Sequence, residues 1–189
     1  MKEAKKVWLF VRWPLLVLAL AYAALVIYRI PAVGEAQRTK VAVAAIQAAH
    51  ITMADVLGTN LPPVPYEPEN DATVAGIDKN GNGIRDDVER AIFAKYPNDA
   101  KIRAAELQFA LAEQTMMTQV FNTDTWKVAG VLYSRGDGCL ADSKHKKEVV
   151  DLVLNTKQRQ DAEDAAFKFT TSLALPSTDF CDIDLNTLK

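Results

Sequence analysis

The 189-residue chain is 49% hydrophobic and 24% charged, with 22 basic residues, 24 acidic residues and a formal net charge of −2. This length allows one ordinary domain and an accessory segment. Five of the basic residues and one acid lie in the first 30 positions, so the rest carries 17 basic and 23 acidic residues, a net charge of −6. This acidity argues against nucleic acid as a partner, because phosphates need a basic face. It is compatible with divalent cations, although solubility alone also explains it.

The first predicted element is a membrane-spanning helix over residues 7–30. This segment, VWLFVRWPLLVLALAYAALVIYRI, is apolar apart from Arg12 and Arg29 near its two ends. As a helix it extends about 36 Å, which exceeds the ~30 Å hydrocarbon core of a bilayer. We therefore expect it to contact membrane lipid. The lysines that precede it predict a cytoplasmic N-terminus and a C-terminal domain in the periplasm or outside the cell.

A cleaved signal peptide is the alternative, because it begins with the same kind of basic region. The apolar core here is longer than the roughly 7–15 residues of a signal peptide. Cleavage after Ala23 would leave an apolar new terminus, and cleavage after Gly34 lies far from the core. An uncleaved anchor is therefore favoured over a secreted protein that lacks the segment up to Gly34.

The chain after the membrane helix predicts a second helix and then a short capped one. Pro31 and Gly34 are expected to end or bend the membrane helix. The alanine-rich run EAQRTKVAVAAIQAAH favours a separate helix. Thr52 and Asp55 have the spacing of a capping box, and Gly58 is placed to end the short helix that they start.

A proline-rich linker precedes the main exterior domain. Four prolines lie between residues 62 and 68, and they exclude a helix or a central strand there. The chain thus divides into an anchor (1–30), an alanine-rich helix with linker (31–70) and an exterior domain (71–189). No segment alternates with period two over a strand's length. The predicted fold is therefore all-α, a transmembrane helix followed by an array of about five or six helices.

Caps and turn residues predict where the helices of this array begin and end. One helix begins at Asp86, and Asn98 or Asp99 caps a long helix after it. A shorter helix runs through Tyr133, and the sequence SRGDG is expected to end it. The Arg-Gly-Asp tripeptide in SRGDG occurs in adhesion proteins, but its acid and glycines are explained by a turn.

Cys139 and Cys181 are the two cysteines of the chain. An even number of cysteines in an oxidising compartment predicts a disulfide. The bond would tie the C-terminal tail to the domain and contribute about 4 kcal/mol in the chain-entropy model. Two buried free thiols are the alternative.

Residues 78–89, DKNGNGIRDDVE, have the spacing of a calcium loop. Calcium takes about six to eight oxygen ligands, which a short chain supplies only if alternate residues point inward. Gly83 at position 6 permits the sharp turn, and the match to D-x-[DN]-x-[DN]-G-x5-E is complete. The candidate ligands are the side chains of Asp78, Asn80, Asn82, Asp86 and Glu89 and the backbone carbonyl of Ile84.

This loop resembles the calcium loop of the EF-hand superfamily and is similar to loops of thrombospondin type 3 repeats and dockerin-like modules. The resemblance covers the loop only and implies one Ca²⁺ held by the ligands just named. Position 8 holds Arg85, the entering helix is missing and the loop is single, whereas EF-hands usually work in pairs. Calcium is therefore expected to be structural, with a dissociation constant in the roughly 10⁻⁴–10⁻³ M class of extracellular modules.

A polar turn before a capped helix explains part of the same stretch. Asp86 and Glu89 have the spacing of a capping box, and NGNG forms turns without a metal. The two-residue steps of Asp78, Asn80 and Asn82 are not explained in this way. Calcium binding is the hypothesis that accounts for them.

No catalytic motif of recognisable spacing is present. The predicted function is therefore a membrane-anchored extracytoplasmic calcium-binding protein, a non-catalytic binding or scaffolding module with an envelope protein as its partner. The alternative is an envelope-associated enzyme, a cell-wall or carbohydrate hydrolase whose carboxylates the sequence does not reveal.

Overall fold

The computed structural model describes residues 2–173 and 180–188. Its helices are α1 (Lys2–Ala48), α2 (Met53–Leu57), α3 (Glu67–Asn70), α4 (Asp86–Lys95), α5 (Ala100–Gln119), α6 (Thr123–Leu140), α7 (Ser143–Val153), α8 (Lys157–Phe167) and a 3₁₀ helix at Leu185–Thr187. No β-strand occurs among the described residues. The predicted all-α class is confirmed. The exclusion of helix over residues 62–68 is wrong at its end, because α3 contains Pro68 in its first turn, where the missing proline N–H costs no hydrogen bond.

The chain forms two compact units, Met1–Val41 and Ala42–Lys189. Most of α1 belongs to the first unit. Between Arg12 and Ala48, α1 contains an 18-residue window with a mean hydropathy of 2.1 and no buried residue. One helix near the N-terminus is therefore long and apolar enough to cross a membrane.

Of the end or bend expected at Pro31 and Gly34, the end does not occur, because α1 continues through both residues to Ala48. A proline in a helix removes one backbone hydrogen bond and costs about 3 kcal/mol. Strong helix formers lie on both sides, above all the alanine-rich run after Gly34. Their hydrogen bonds continue the helix past the proline.

Helix α5 is the centre of the second unit and contacts α2, α4, α6, α7 and α8. Of its 20 residues, 16 are buried, so it has no solvent face of the kind that an amphipathic surface helix shows. Phe109 and Leu111 of α5 pack with Val88 and Ile92 of α4 and with Val149 of α7. This core holds the start of α4 and one face of α7 in place. The candidate sites lie at these two positions.

The predicted caps of α2 and α5 are confirmed. Thr52 and Asp55 form a reciprocal capping box at the start of α2, and Gly58 ends that helix with a φ of 72°. Asp99 caps α5 by accepting a hydrogen bond from the backbone N–H of Ile102 at 3.0 Å.

The capping box expected of Asp86 and Glu89 does not form. Arg85 is the N-cap residue of α4, and no side chain caps that helix.

Helix α6 runs through SRGDG to Leu140, so the predicted turn is wrong. Gly136 explains the error. A Cβ on Gly136 would lie 3.1 Å from Cα of Phe109 and 3.2 Å from the carbonyl oxygen of Gln108. The glycine therefore permits close packing of α6 on α5, and this packing outweighs its weak helix propensity.

The predicted disulfide between Cys139 and Cys181 is confirmed, with a Cα–Cα distance of 4.9 Å. Gln108 holds the same tail, since its Nε2 donates to the carbonyl of Phe180 at 2.6 Å and its Oε1 accepts from the backbone N–H of Asp182 at 2.8 Å. The C-terminal segment is thus attached to α5 and α6.

Candidate metal centre

The loop at residues 78–89 leads directly into α4, and short-range hydrogen bonds set its curvature. Its fourth and sixth positions, Gly81 and Gly83, have φ angles of 72° and 86°, which side chains with a Cβ rarely adopt. The carboxylate of Asp78 accepts hydrogen bonds from the backbone N–H groups of both glycines at 2.8 Å. Asp78 therefore forms the turn without a metal. The amide oxygens of Asn80 and Asn82 also accept hydrogen bonds from backbone N–H groups two residues further on, so turn formation explains the spacing that the sequence analysis attributed to calcium alone.

Three predicted ligands meet inside the loop. Nδ2 of Asn80 donates to Oε2 of Glu89 at 3.0 Å, and Nδ2 of Asn82 donates to Oε1 of Glu89 at 2.9 Å. Glu89 is fully buried. Burial raises the pKa of Glu89 to about 7, although the two amides partly oppose this shift.

Asp86, at position 9, is also fully buried. Its Oδ1 accepts a hydrogen bond from the backbone N–H of Lys79 at 2.9 Å, whereas its Oδ2 has no hydrogen-bond partner. Burial raises the pKa of Asp86, and the nearby charge of Asp78 adds to the shift. The loop therefore contains a buried acid oxygen that lacks a hydrogen-bond partner.

Ile84, at position 7, points its side chain into the hydrophobic core with Val88 and Ile92. Its backbone N–H donates to Oδ1 of Asn82 at 2.9 Å. The branched side chain thus fastens the loop to the core, while the backbone of Ile84 remains part of the turn.

Asp55 of α2 joins the site, which the sequence did not predict. Its Oδ2 accepts from the backbone N–H and the hydroxyl of Thr52 at 2.7 and 2.6 Å. Its Oδ1 accepts from Nδ2 of Asn60 at 2.8 Å and from Nδ2 of Asn82 at 3.0 Å. Burial alone would raise the pKa of Asp55, but these hydrogen bonds lower it overall. The capping motif identified Asp55 but not its contact with the loop.

Arg85, at position 8, anchors the loop to α7. Its side chain is completely buried and its Nε lies 2.6 Å from Oδ1 of Asp87. Nη1 donates to the carbonyl of Val153 at 3.0 Å, and Nη2 donates to that of Leu152 at 2.9 Å. These carbonyls lie at the C-terminal end of α7, where a positive charge is favoured by the helix dipole. Arg85 thus holds the loop by charged hydrogen bonds.

The loop region contains the ligand types of a calcium site. Asp55, Asp78, Asp86 and Glu89 lie around the loop, and Asp55 and Asp78 both influence the buried carboxyl of Glu89. Their oxygens are not drawn together as closely as a bound ion requires, because no three of these four acids place ligand atoms within 4.8 Å of one another. Carboxylate and amide oxygens are the ligands that calcium prefers. A cleft of about 610 Å³, lined in part by Asp55 and Asp78, opens beside the loop and gives ions access to it.

A second group of potential metal ligands joins α5 and α7. Oε1 of Glu106, Nδ1 of His145 and a carboxylate oxygen of Glu148 all lie within 4.8 Å of one another. His145 and Glu148 are one helical turn apart. Sequence reasoning missed the group because Glu106 is 39 residues from His145 in the chain. The i, i+3 spacing of a histidine and a glutamate was its one local signal.

A pair of glutamates lies apart from both groups. Glu113 of α5 is fully buried, and neither carboxyl oxygen has a hydrogen bond of standard geometry. The carboxyl of Glu163 and the hydroxyl of Tyr133 are near enough to interact with it. Burial and the charge of Glu163 raise the pKa of Glu113 to about 8. Two facing acids are what the hydrolase alternative requires, but Glu113 has no exposed surface through which a substrate would reach it.

Comparison with known proteins adds no assignment, because no protein-family model, curated protein or solved structure matches this chain. Its function therefore has to be inferred from the loop, the side chains around it and the apolar helix.

Proposed function

We propose that this chain is a membrane-anchored extracytoplasmic protein in which residues 78–89 bind one structural Ca²⁺ ion. The observation that carries the proposal is the buried Oδ2 of Asp86, which has no hydrogen-bond partner. Burying a carboxylate without a partner is costly. A divalent cation among Asp86, Glu89 and Asp78 supplies a positive charge there.

The two asparagines are already placed for this role. Their Nδ2 groups donate to the two carboxyl oxygens of Glu89. A half-turn of each side-chain amide would direct Oδ1 toward the same point instead of Nδ2, and it would break the hydrogen bonds that the two Oδ1 atoms accept from the backbone N–H groups of Asn82 and Ile84. Asn80, Asn82 and Glu89 then present oxygens together, as the calcium-loop pattern requires.

Asp55 supports a tighter site than the loop alone implies. Calcium affinity increases with the number of charged ligands and the rigidity of the site. Asp55 adds a fourth carboxylate to those of Asp78, Asp86 and Glu89, and Thr52 holds it in place. We therefore expect a dissociation constant near the 10⁻⁴ M end of the range for extracellular modules.

The ion is proposed to act as a brace between helices. Asp55 belongs to α2 and Glu89 to α4, so a shared ion joins the two helices through the loop. Arg85 extends this connection to the end of α7. A braced helical unit on a membrane anchor suits a non-catalytic binding or scaffolding module, with an envelope protein as its partner.

Calcium titration of the full chain in detergent tests the proposal by calorimetry and thermal unfolding. An ion at ten to a hundred times its dissociation constant stabilises a protein by about 1.4–2.7 kcal/mol. The wild type should therefore melt about 5 °C higher in 10 mM calcium. Asp78→Asn should remove this shift. Asp78 is exposed, and asparagine keeps one of the two oxygens that accept from Gly81 and Gly83; circular dichroism verifies that the variant folds. Asp151→Asn on the exposed face of α7 is the matched control and should keep the shift.

If the loop binds calcium, Asn82→Asp should change calcium affinity in the direction opposite to Asp78→Asn. The added charge should strengthen calcium binding several-fold and, without calcium, should destabilise the protein by placing another acid beside Asp55 and Glu89. The same weak heat of titration in the wild type, Asp78→Asn and Asn82→Asp would overturn the calcium proposal.

The anchor is tested separately by the intact mass of protein extracted from membranes. The full-length mass is expected. A product that lacks about the first 34 residues would instead identify a cleaved signal peptide.

A further inference from the structure

The geometry points to a second metal site: we propose that Glu106, His145 and Glu148 bind a divalent transition-metal ion of the zinc class. These residues join α5 to α7 and belong to neither the loop nor its supporting contacts. The proposal is independent of calcium binding, so either can fail without the other.

The distances suit a small ion after minor adjustment. Nδ1 of His145 lies 2.6 Å from Oε1 of Glu106 and 3.9 Å from Oε2 of Glu148. Zinc–ligand bonds of roughly 2.0–2.2 Å in a tetrahedron place neighbouring ligand atoms about 3.4 Å apart. The two measured distances lie on either side of this value. Side-chain shifts below about 1 Å therefore complete three corners of the tetrahedron, and water takes the fourth.

The surrounding structure holds these ligands in position. Glu106 is 1% exposed and lies on α5, the buried central helix. His145 and Glu148 lie on one face of α7, whose start is capped by Asp142. The hydroxyl of Tyr96 donates to Oε2 of Glu148 at 2.9 Å and lies 3.2 Å from Nδ1 of His145. Two helices thus contribute the ligands, and Tyr96, the residue that follows α4, contributes the orienting hydroxyl.

The choice of ligand atoms indicates the class of metal. An imidazole nitrogen with two carboxylates is typical of zinc and similar first-row ions, whereas calcium and magnesium take oxygen ligands. Two carboxylates also balance the charge of a divalent ion. Zinc therefore fits Glu106, His145 and Glu148, while calcium fits the loop.

Lys95 is the competitor for this site. Its Nζ lies 2.6 Å from Oε2 of Glu148, and its side chain is 47% exposed. The ammonium group can move into solvent when an ion binds Glu148. Removing the charge of Lys95 should therefore strengthen metal binding. If Glu106, His145 and Glu148 formed only a structural hydrogen-bond network, removing this charge would not increase zinc affinity.

The experiment is a zinc titration of the untagged full chain in detergent, in competition with a chromophoric chelator. An untagged chain is needed because polyhistidine tags bind zinc. One ion per chain should bind with a dissociation constant in the micromolar range. His145→Ala and Glu148→Gln should each weaken binding at least tenfold, whereas Lys95→Met should strengthen it several-fold. His50→Ala, at the other histidine of the chain, is the matched control and should leave binding unchanged.

Cobalt(II) provides a spectroscopic check of the same variants. Visible absorption of the intensity typical of tetrahedral cobalt should appear in the wild type and in Asp78→Asn but not in His145→Ala. His145 is partly exposed, and circular dichroism verifies that its variant folds. Absence of zinc binding below 1 mM, binding that survives His145→Ala, or binding that is lost in Asp78→Asn or His50→Ala would each overturn the proposal.

Discussion

The side-chain amide of Asn82 donates to Oδ1 of Asp55 at 3.0 Å, across a sequence separation of 27 residues. The same amide group donates to Oε1 of Glu89 at 2.9 Å. Asn82 therefore connects an acid at the start of α2 with an acid in the first turn of α4. An ion bound by the loop would lie beside a carboxylate that the loop does not contain.

Asp55→Asn should weaken calcium binding about tenfold, because it removes one charge from the site and preserves the shape of the side chain. Calorimetry of the full chain in detergent measures this change. Thr52→Ala is the matched control, since it removes the cap of α2 and retains the carboxylate. It should lower the free energy of unfolding by about 1 kcal/mol and change calcium affinity far less. Equal calcium affinity in Asp55→Asn and the wild type would exclude Asp55 from the site.

Arg85→Met should lower the free energy of unfolding by about 3 kcal/mol, because it leaves the carbonyls of Leu152 and Val153 without their charged donor. Methionine retains most of the buried volume of the arginine stem. Urea unfolding without calcium measures this loss. Arg90→Met is the comparison variant, because Arg90 donates a hydrogen bond to the carbonyl of Pro62. This variant should lower the free energy of unfolding by under about 1 kcal/mol. Similar losses in both variants would mean that Arg85 does not anchor the loop.

Glu113→Gln should make unfolding less dependent on pH. The pKa of Glu113 is about 8 in the folded chain and about 4.5 in the unfolded chain. The folded state therefore binds the proton more tightly. The stabilisation from this proton is fully present below about pH 4.5, decreases as the pH rises and is lost by about pH 8. At pH 8 the variant should be more stable than the wild type by about 2–4 kcal/mol.

Urea unfolding at pH 5, 6.5 and 8 with a calcium chelator measures this difference. The groups that interact with Glu113 are Glu163, Tyr133 and Asp137, and the carboxyls of Glu113 and Glu163 titrate as a pair. Asp164→Asn, at an exposed neighbour, should follow the wild type. Parallel pH profiles for Glu113→Gln and the wild type would contradict the prediction.

Local sequence patterns predicted much of the helical framework. Caps act over a few residues, which is why Thr52, Gly58 and Asp99 identified helix ends correctly. The calcium-loop pattern is equally local, so it selected Asp78 and Glu89 before any fold was known. Local patterns gave the wrong helix end where packing between helices determined how far a helix extends. Gly136 lies inside α6 because α5 approaches it closely.

The chain by itself thus determined its helical class, its long apolar segment and the candidate loop, because hydrophobicity and short-range hydrogen bonds act between neighbours. Tertiary structure alone decided that Asp55 contacts the loop, that Arg85 reaches α7 and that Glu106 meets His145. These contacts join residues between 27 and 68 positions apart. They depend on how helices pack around α5, and no spacing within a single segment encodes that packing.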